Sequence, residues 1–307
     1  YFNFTCHNYW NLYLIITTPL PPAPPSAPLT SPEPPPPPPV LSVPFSPFWL
    51  QPQGADELFY QDVVASLYGR NSLHDIISRT AKEIFIPLTV GGGIRSIEDI
   101  SKILKAGADK VSINTAAIEN PDLISSASRV FGASTIVVNI EAIKQPDGNY
   151  HAFTDNGRNS SNKEVISWAK ELEQRGAGEI MLTCVNNEGL GKGFDLSLAK
   201  ELCDAVKIPV VIHGGAGKQQ HVFDLSKDMP ISGVAIASLF HYHSIIKNRQ
   251  LDGYEEGNIE FLKGNRAISN IAGCSVKDLK LFLFQNQILC RVWVKFMNKN
   301  NTIAVID

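Results

Sequence analysis

Two glycine-rich turns carry the clearest chemical signal in the sequence. Gly91, Gly92 and Gly93 follow the apolar run PLTV, and Gly214 and Gly215 follow PVVIH. The apolar run after each turn ends in a small hydroxyl residue: Thr115 in KVSINTA and Ser238 in GVAIASL. Glycines at the C-terminal end of a strand let a ligand approach backbone N–H groups, and the following helix presents its positive N-terminus. A hydroxyl on the neighbouring strand adds a donor. Such a set is a phosphate cradle, and two of them imply a long substrate with a phosphate at each end. Taken singly, GGG or GGAG is only a tight strand-to-helix turn. Their recurrence in register favours phosphate.

The elements that must position these turns are legible from hydrophobic period. Short, β-branched runs at 57–64, 87–92, 110–116, 135–142, 179–185, 209–215 and 233–239 read as strands. Helical spacing falls between and after them, at 72–84, 96–107, 120–132, 163–178, 196–206, 218–228 and 275–285. Ser96 with Asp99 is a plausible N-cap arrangement, and Gly107 a C′ residue. Continuous apolar strands alternating with helices mean parallel strands covered on both faces, in either a doubly wound sheet or a (βα)8 TIM-type barrel. The repeat decides for the barrel. Pro87 pairs with Pro209 and Gly92 with Gly214 at one offset, and Thr115 with Ser238 at an offset one residue longer. One βαβ unit thus recurs half a barrel away, which places two equivalent sites across the mouth.

Composition sets bounds. The chain has 307 residues and net charge −3, with pI about 6.2, so it carries no strong nucleic-acid or membrane footprint. No apolar run is long enough for a membrane span. Its 5 cysteines form no CxxC pair, so neither a zinc site nor a disulfide framework is indicated, and a cytoplasmic, reduced setting is the default. No metal or cofactor is expected. Residues 19–52 hold 16 of the 21 prolines. Such a segment suits neither helix nor central strand. It reads as a linker, as mis-joined sequence, or as a ligand for a polyproline-binding module. The expected organisation is a proline-rich disordered or mis-joined segment at 1–53, a phosphate-binding barrel at 54–291 and an unmatched tail at 292–307.

Three charges stand at strand starts, Glu57 in GADEL, Lys110 in GADK and Glu179 in GAGE. Strand starts lie on the barrel face opposite the active site. A salt-bridged floor and a gate through that floor are both consistent with them. Glu141 stands on the otherwise apolar strand TIVVNIEA, which argues against a surface carboxylate.

The segments GADELFYQDVVAS, IPLTVGGGIRSIEDISKILKAGADKVSINTAAIENP, GAGEIMLT and VVIHGGAGK resemble the cyclase family of imidazole glycerol phosphate synthase, from about Gly54 to Tyr242 and again through the last helix to Arg291. The resemblance implies a cyclase, a lyase of histidine biosynthesis. It would use ammonia from a glutaminase partner on a bisphosphorylated aminoimidazole-carboxamide ribonucleotide, giving imidazole glycerol phosphate. One phosphate would sit on Gly92, Gly93, Asn114 and Thr115, the other on Gly189, Gly214, Gly215 and Ser238. Glu141 takes the position of a catalytic aspartate, and Asp62 matches a further carboxylate. Glu57, Lys110 and Glu179 match three of four residues gating an ammonia path, with Asp109 on the partner face.

The departures are specific. The family's first strand, which carries the other catalytic aspartate, a lysine and the fourth gate residue, has no recognisable counterpart before Gly54. A barrel without its first βα unit has two unpaired edges, so low stability and an incomplete acid–base pair are expected. Glu141 is one methylene longer than aspartate. His213 replaces a small residue before GGAG, as a cationic donor or a space-filler. Glu188 keeps an acidic position and Asn186 replaces an aspartate. An insert of about thirty residues at 244–273 resembles a paralogous branch that amidinates nucleotide sugars for surface polysaccharide. That branch, and a truncated non-catalytic phosphate-binding barrel, are the alternatives.

Overall fold

In the computed structural model, the described residues are 10–17, 54–62, 74–247, 270–291, 295–297 and 303–305. Of the insert, 248–269 lies outside them, as does all of the proline-rich stretch at 19–52.

All seven expected strands form: β2 (Glu57–Asp62), β3 (Leu88–Gly91), β4 (Lys110–Ile113), β5 (Ile136–Lys144), β8 (Glu179–Cys184), β9 (Val210–His213) and β10 (Gly233–Ile236). Each pairs in parallel with the next in that order. The remaining gap is closed by β1 (Trp10–Thr17), which pairs with β2 on one side and β10 on the other. The result is a ring of eight strands. The expected open edges are therefore not there. The slot is filled in an unexpected sense, because β1 runs antiparallel to both neighbours, Trp10 opposite Asp62 and Thr17 opposite Gly233. An apolar, β-branched run is what an orphaned slot in a barrel needs, and WNLYLIIT supplies it from the first 18 residues, outside the proline-rich stretch.

The helices pack outside the ring: α1 (His74–Glu83), α2 (Ile97–Lys105), α3 (Thr115–Glu119), α4 (Asp122–Phe131), α5 (Val165–Gln174), α6 (Leu196–Ala205), α7 (Gln219–Ser226), α8 (Ser238–Lys247) and α9 (Val276–Gln285). The predicted N-cap holds: Ser96 Oγ accepts from the Asp99 N–H at 3.1 Å, and Gly107 adopts φ +116° just past α2. Glu164 caps α5 and Asp195 caps α6, each carboxylate accepting backbone N–H groups of the first turn. The main core lies between sheet and helices, with Trp168, Ile100, Ile124 and Leu279 buried in it. A second, smaller cluster fills the ring itself: Phe59, Val137, Met181, Val211 and Ala235. Two features escaped the periodicity. The hairpin β6 (Tyr150–Thr154) and β7 (Asn159–Glu164) extends β5 outward; β6 buries Ala152 in the core but its apolar run is short, and β7 is polar throughout. Residues 295–297 and 303–305 form the two-stranded antiparallel pair β11 and β12.

Candidate active site

The ends of β2 to β5 meet around a cavity of about 220 Å³. Six residues singled out by sequence line it together: Asp62, Gly92, Gly93, Asn114, Thr115 and Glu141. Gly92 and Gly93 sit at φ +107° and +69°, the region that favours glycine. A Cβ on Gly92 would stand 2.3 Å from the Asp62 carbonyl oxygen. Gly92→Ala should therefore strain the turn and push Asp62 out of place; we expect roughly 1–3 kcal/mol lost in urea unfolding, with weaker phosphate binding by calorimetry.

Across the ring the same device recurs. Gly214 and Gly215 end β9 at φ +90° and +132°, and a Cβ on Gly214 would meet the Cys184 carbonyl oxygen at 2.6 Å. In both cradles the glycine rides on the last carbonyl of the preceding strand, β2 for one and β8 for the other. The two lie on opposite sides of the eight-stranded ring. Gly189 stands in the loop after β8, and Ser238 opens α8. These four residues do not line the 220 Å³ cavity.

Glu141 is 7% exposed. Burial pushes its carboxyl up to about 7, and the negative charges of Glu188 and Asp155 add to this. A hydrogen bond from the Gly157 N–H to Oε2 at 2.8 Å and one from the Asn114 side chain pull the other way. The group is thus balanced near neutrality, where it can both take and give a proton.

The sequence reading did not single out Gln61, Ser112 and Asn139, which also line the cavity. Among the described residues, Gln61 Oε1, Ser112 Oγ and Asn114 Oδ1 are buried without a hydrogen-bond partner. A buried acceptor without a donor is costly, so these oxygens mark where a ligand's N–H or O–H groups would be held. The signal for them was present: Gln61, Ser112 and Asn139 are polar breaks on apolar strands.

His213 does not behave as a cationic donor. It is buried, and desolvation lowers its pKa to about 4, so the ring is neutral. Asn186 accepts from the Lys144 N–H at 2.8 Å and fastens the end of β5.

At the other face, Lys110 Nζ lies 3.0 Å from Glu57 Oε2 and 2.8 Å from Glu179 Oε2. Thr89 Oγ1 donates to the second Glu57 oxygen. Burial opposes the Lys110 charge, but Glu179 and Glu57 outweigh it and raise its pKa. Asp109 is exposed on this face, and its carboxylate accepts from the Leu88 N–H at 2.8 Å, holding the start of β3. The ring position between β2 and β10 is held by β1, whose sequence contains no charged residue.

The histidine biosynthesis protein family matches residues 44–246. The chain belongs to that family. Its relatives include the imidazole glycerol phosphate synthase subunit HisF of Legionella pneumophila, 54% identical over 166 residues, which cover 54% of this chain and 78% of that protein. The subunit of the same name from Methanopyrus kandleri is 42% identical over 207 residues, covering 62% of this chain and 76% of the relative. The match covers the seven parallel strands and leaves out β1. Among the described residues no cluster of His, Cys, Asp and Glu could hold a metal ion, and no helix is long and apolar enough to cross a membrane.

Proposed function

We propose that this chain works as the cyclase subunit of an imidazole glycerol phosphate synthase. It takes ammonia from a glutaminase partner and adds its nitrogen to a bisphosphorylated aminoimidazole-carboxamide ribonucleotide, closing the imidazole ring of imidazole glycerol phosphate and releasing an aminoimidazole ribonucleotide. One observation carries the assignment: a single cavity joins a glycine cradle to a buried carboxyl balanced near neutrality.

In this reading Gly92, Gly93, Asn114 and Thr115 hold one phosphate, with the positive end of α2 behind the glycines. Gly189, Gly214, Gly215 and Ser238 hold the other across the mouth. The orphan oxygens of Gln61, Ser112 and Asn114 accept the substrate's amino and hydroxyl hydrogens. Glu141 is the general acid and base. No carboxylate is present on β1, so Asp62, on the same cavity wall, is the second carboxyl of the pair. Ammonia reaches the cavity through the ring, past Glu57, Lys110 and Glu179, and Asp109 faces the partner. No cofactor takes part, and the working compartment is the cytoplasm. The functional unit is the barrel at 54–291 together with the strand at 10–17.

The test is turnover of the bisphosphorylated intermediate with ammonium as nitrogen source, which removes the need for the partner. Formation of imidazole glycerol phosphate is the expected result. Phosphate binding without turnover would instead identify a non-catalytic barrel or one acting on another acceptor.

A further inference from the structure

Three polar side chains face one another inside the ring, above the apolar cluster and beneath the cavity. Asn139 on β5, Thr183 on β8 and His213 on β9 are each about nineteen-twentieths buried, with exposures of 6%, 5% and 5%. Thr183 Oγ1 donates to Asn139 Oδ1 at 3.1 Å and lies 3.2 Å from His213 Nδ1. A hydroxyl has one hydrogen to give. With that hydrogen on Asn139, the oxygen must accept from His213, which fixes the imidazole as the Nδ1–H tautomer. The chain of donors then runs one way, from His213 Nδ1–H to Thr183 Oγ1–H to Asn139 Oδ1. Its end point matters, because Asn139 lines the cavity two residues from Glu141 on the same face of β5. With Oδ1 engaged below, the amide nitrogen is the part of Asn139 left for the cavity.

We infer that His213 and Thr183 are positioning residues that lock the Asn139 carboxamide with its N–H groups toward the cavity, where it donates to a substrate oxygen beside Glu141. The substrate identity rests on the cyclase reading above; the locked amide does not. The lock adds a fixed side-chain donor beside Glu141. Gln61 Oε1, Ser112 Oγ and Asn114 Oδ1 are orphan oxygens, and Asp62 and Glu141 are carboxyls, while the other donors on this wall include the Gly92 and Gly93 N–H groups, the Arg95 guanidinium and the Thr115 hydroxyl. A ligand bearing both N–H groups and carbonyl, hydroxyl or phosphate oxygens then meets a donor next to Glu141 as well. An unlocked Asn139 could turn its oxygen upward and present one more acceptor. Burial gives the lock its stiffness, since breaking either hydrogen bond leaves a polar group unsatisfied in a dry interior.

The experiment uses the full chain. In 15N-labelled protein, His213 should show a pyrrole-type Nδ1 and a pyridine-type Nε2 from pH 6 to 8, and the Asn139 side-chain amide protons should exchange slowly with solvent. Thr183→Val should shift those amide signals and speed their exchange, and Thr183→Ser should keep them. In ammonium-driven turnover, Thr183→Val and His213→Leu should raise KM about tenfold, with a smaller effect on kcat. His213→Asn, whose amide nitrogen can stand in for Nδ1, should recover most of the loss. Circular dichroism melts establish that each variant is folded. A pyridine-type Nδ1 in the parent protein overturns the inference, whatever the turnover. So do amide signals unmoved by Thr183→Val, or His213→Asn and His213→Leu losing KM alike, which would mark the trio as packing. Absence of turnover in the parent protein, with the tautomer and amide signals as expected, would count against the cyclase reading and leave the lock supported.

Discussion

Replacing Glu141 with Gln should lower kcat by roughly 10²–10⁴ and, at the same time, make the barrel harder to unfold above pH 7. The two effects share one cause. Burial raises the Glu141 carboxyl from its ordinary 4.5 to about 7 in the folded protein. Between those two pH values the folded chain holds a proton that the unfolded chain has released. Stability supplied by the neutral carboxyl is complete below 4.5, drains away as pH climbs to 7, and stays lost above it. Gln has no proton to lose and keeps the hydrogen-bonding outline. The variant's advantage in urea should be near zero at pH 4, grow through pH 5 and 6, and level off at a few kcal/mol above 7. Paired activity and urea measurements at pH 5 and pH 8 check it. Equal stability of parent and variant at both pH values would mean that the carboxyl is solvated. Full activity in the variant would remove Glu141 from the chemistry.

Lys110→Met should be the most damaging single change at the floor, costing about 3–5 kcal/mol at pH 7. The lysine stands between Glu57 and Glu179, 3.0 and 2.8 Å from their oxygens, and all three are largely buried. Without it, two carboxylates face each other in a poorly hydrated layer. Burial already raises the Glu179 carboxyl, and Lys110 is the charge that opposes that rise. In the variant, protonating the carboxylates relieves the repulsion, so the deficit should shrink as pH falls toward 5. Adding Glu57→Gln and Glu179→Gln to Lys110→Met should restore most of the lost stability, because an uncharged floor no longer contains an unpaired charge. Urea titrations of the three proteins give the comparison. A deficit below about 1 kcal/mol for Lys110→Met would place these charges in water, where such pairs contribute little. On the proposed ammonia route, the neutral triple variant separates the roles further. Ammonium-driven turnover should persist, while turnover driven by a glutaminase should fall.

The residues that were legible in advance share a property. Gly92 and Gly214 announce themselves because only glycine meets the demand of both positive φ and contact with the preceding strand's carbonyl, and they recur in register. Glu57, Lys110 and Glu179 announce themselves because charges at the starts of apolar strands have few explanations. The seven parallel strands follow from β-branched runs bounded by turn residues. What escaped is how separate signals combine. Asn139, Thr183 and His213 are far apart in the chain, and nothing in the neighbourhood of any one of them names the other two. The role of β1 escaped for a different reason. Its sequence reads as apolar and aromatic, but its strand order and direction depend on a vacancy between β2 and β10 that exists only once the other seven strands have assembled. His213 was read as a choice between cation and filler. Burial decides against the cation, and the Thr183 contact gives the neutral ring a partner.

The antiparallel first strand also bears on how the molecule reaches its fold. Every other neighbour pair in the ring joins strands consecutive around it, so the ladder from β2 to β10 can lengthen one unit at a time with modest loop-closure entropy. β1 has to span from β2 to β10, which makes its pairing with β10 the strand pairing of highest sequence separation in the ring and the slowest to form. It precedes the barrel in the chain yet cannot find its second edge until β10 exists. During synthesis the second edge of β1 therefore stays open until β10 is made, and open strand edges are the surfaces through which chains aggregate. The first strand to be translated waits for the last, and the ring closes only when both ends of the series are made.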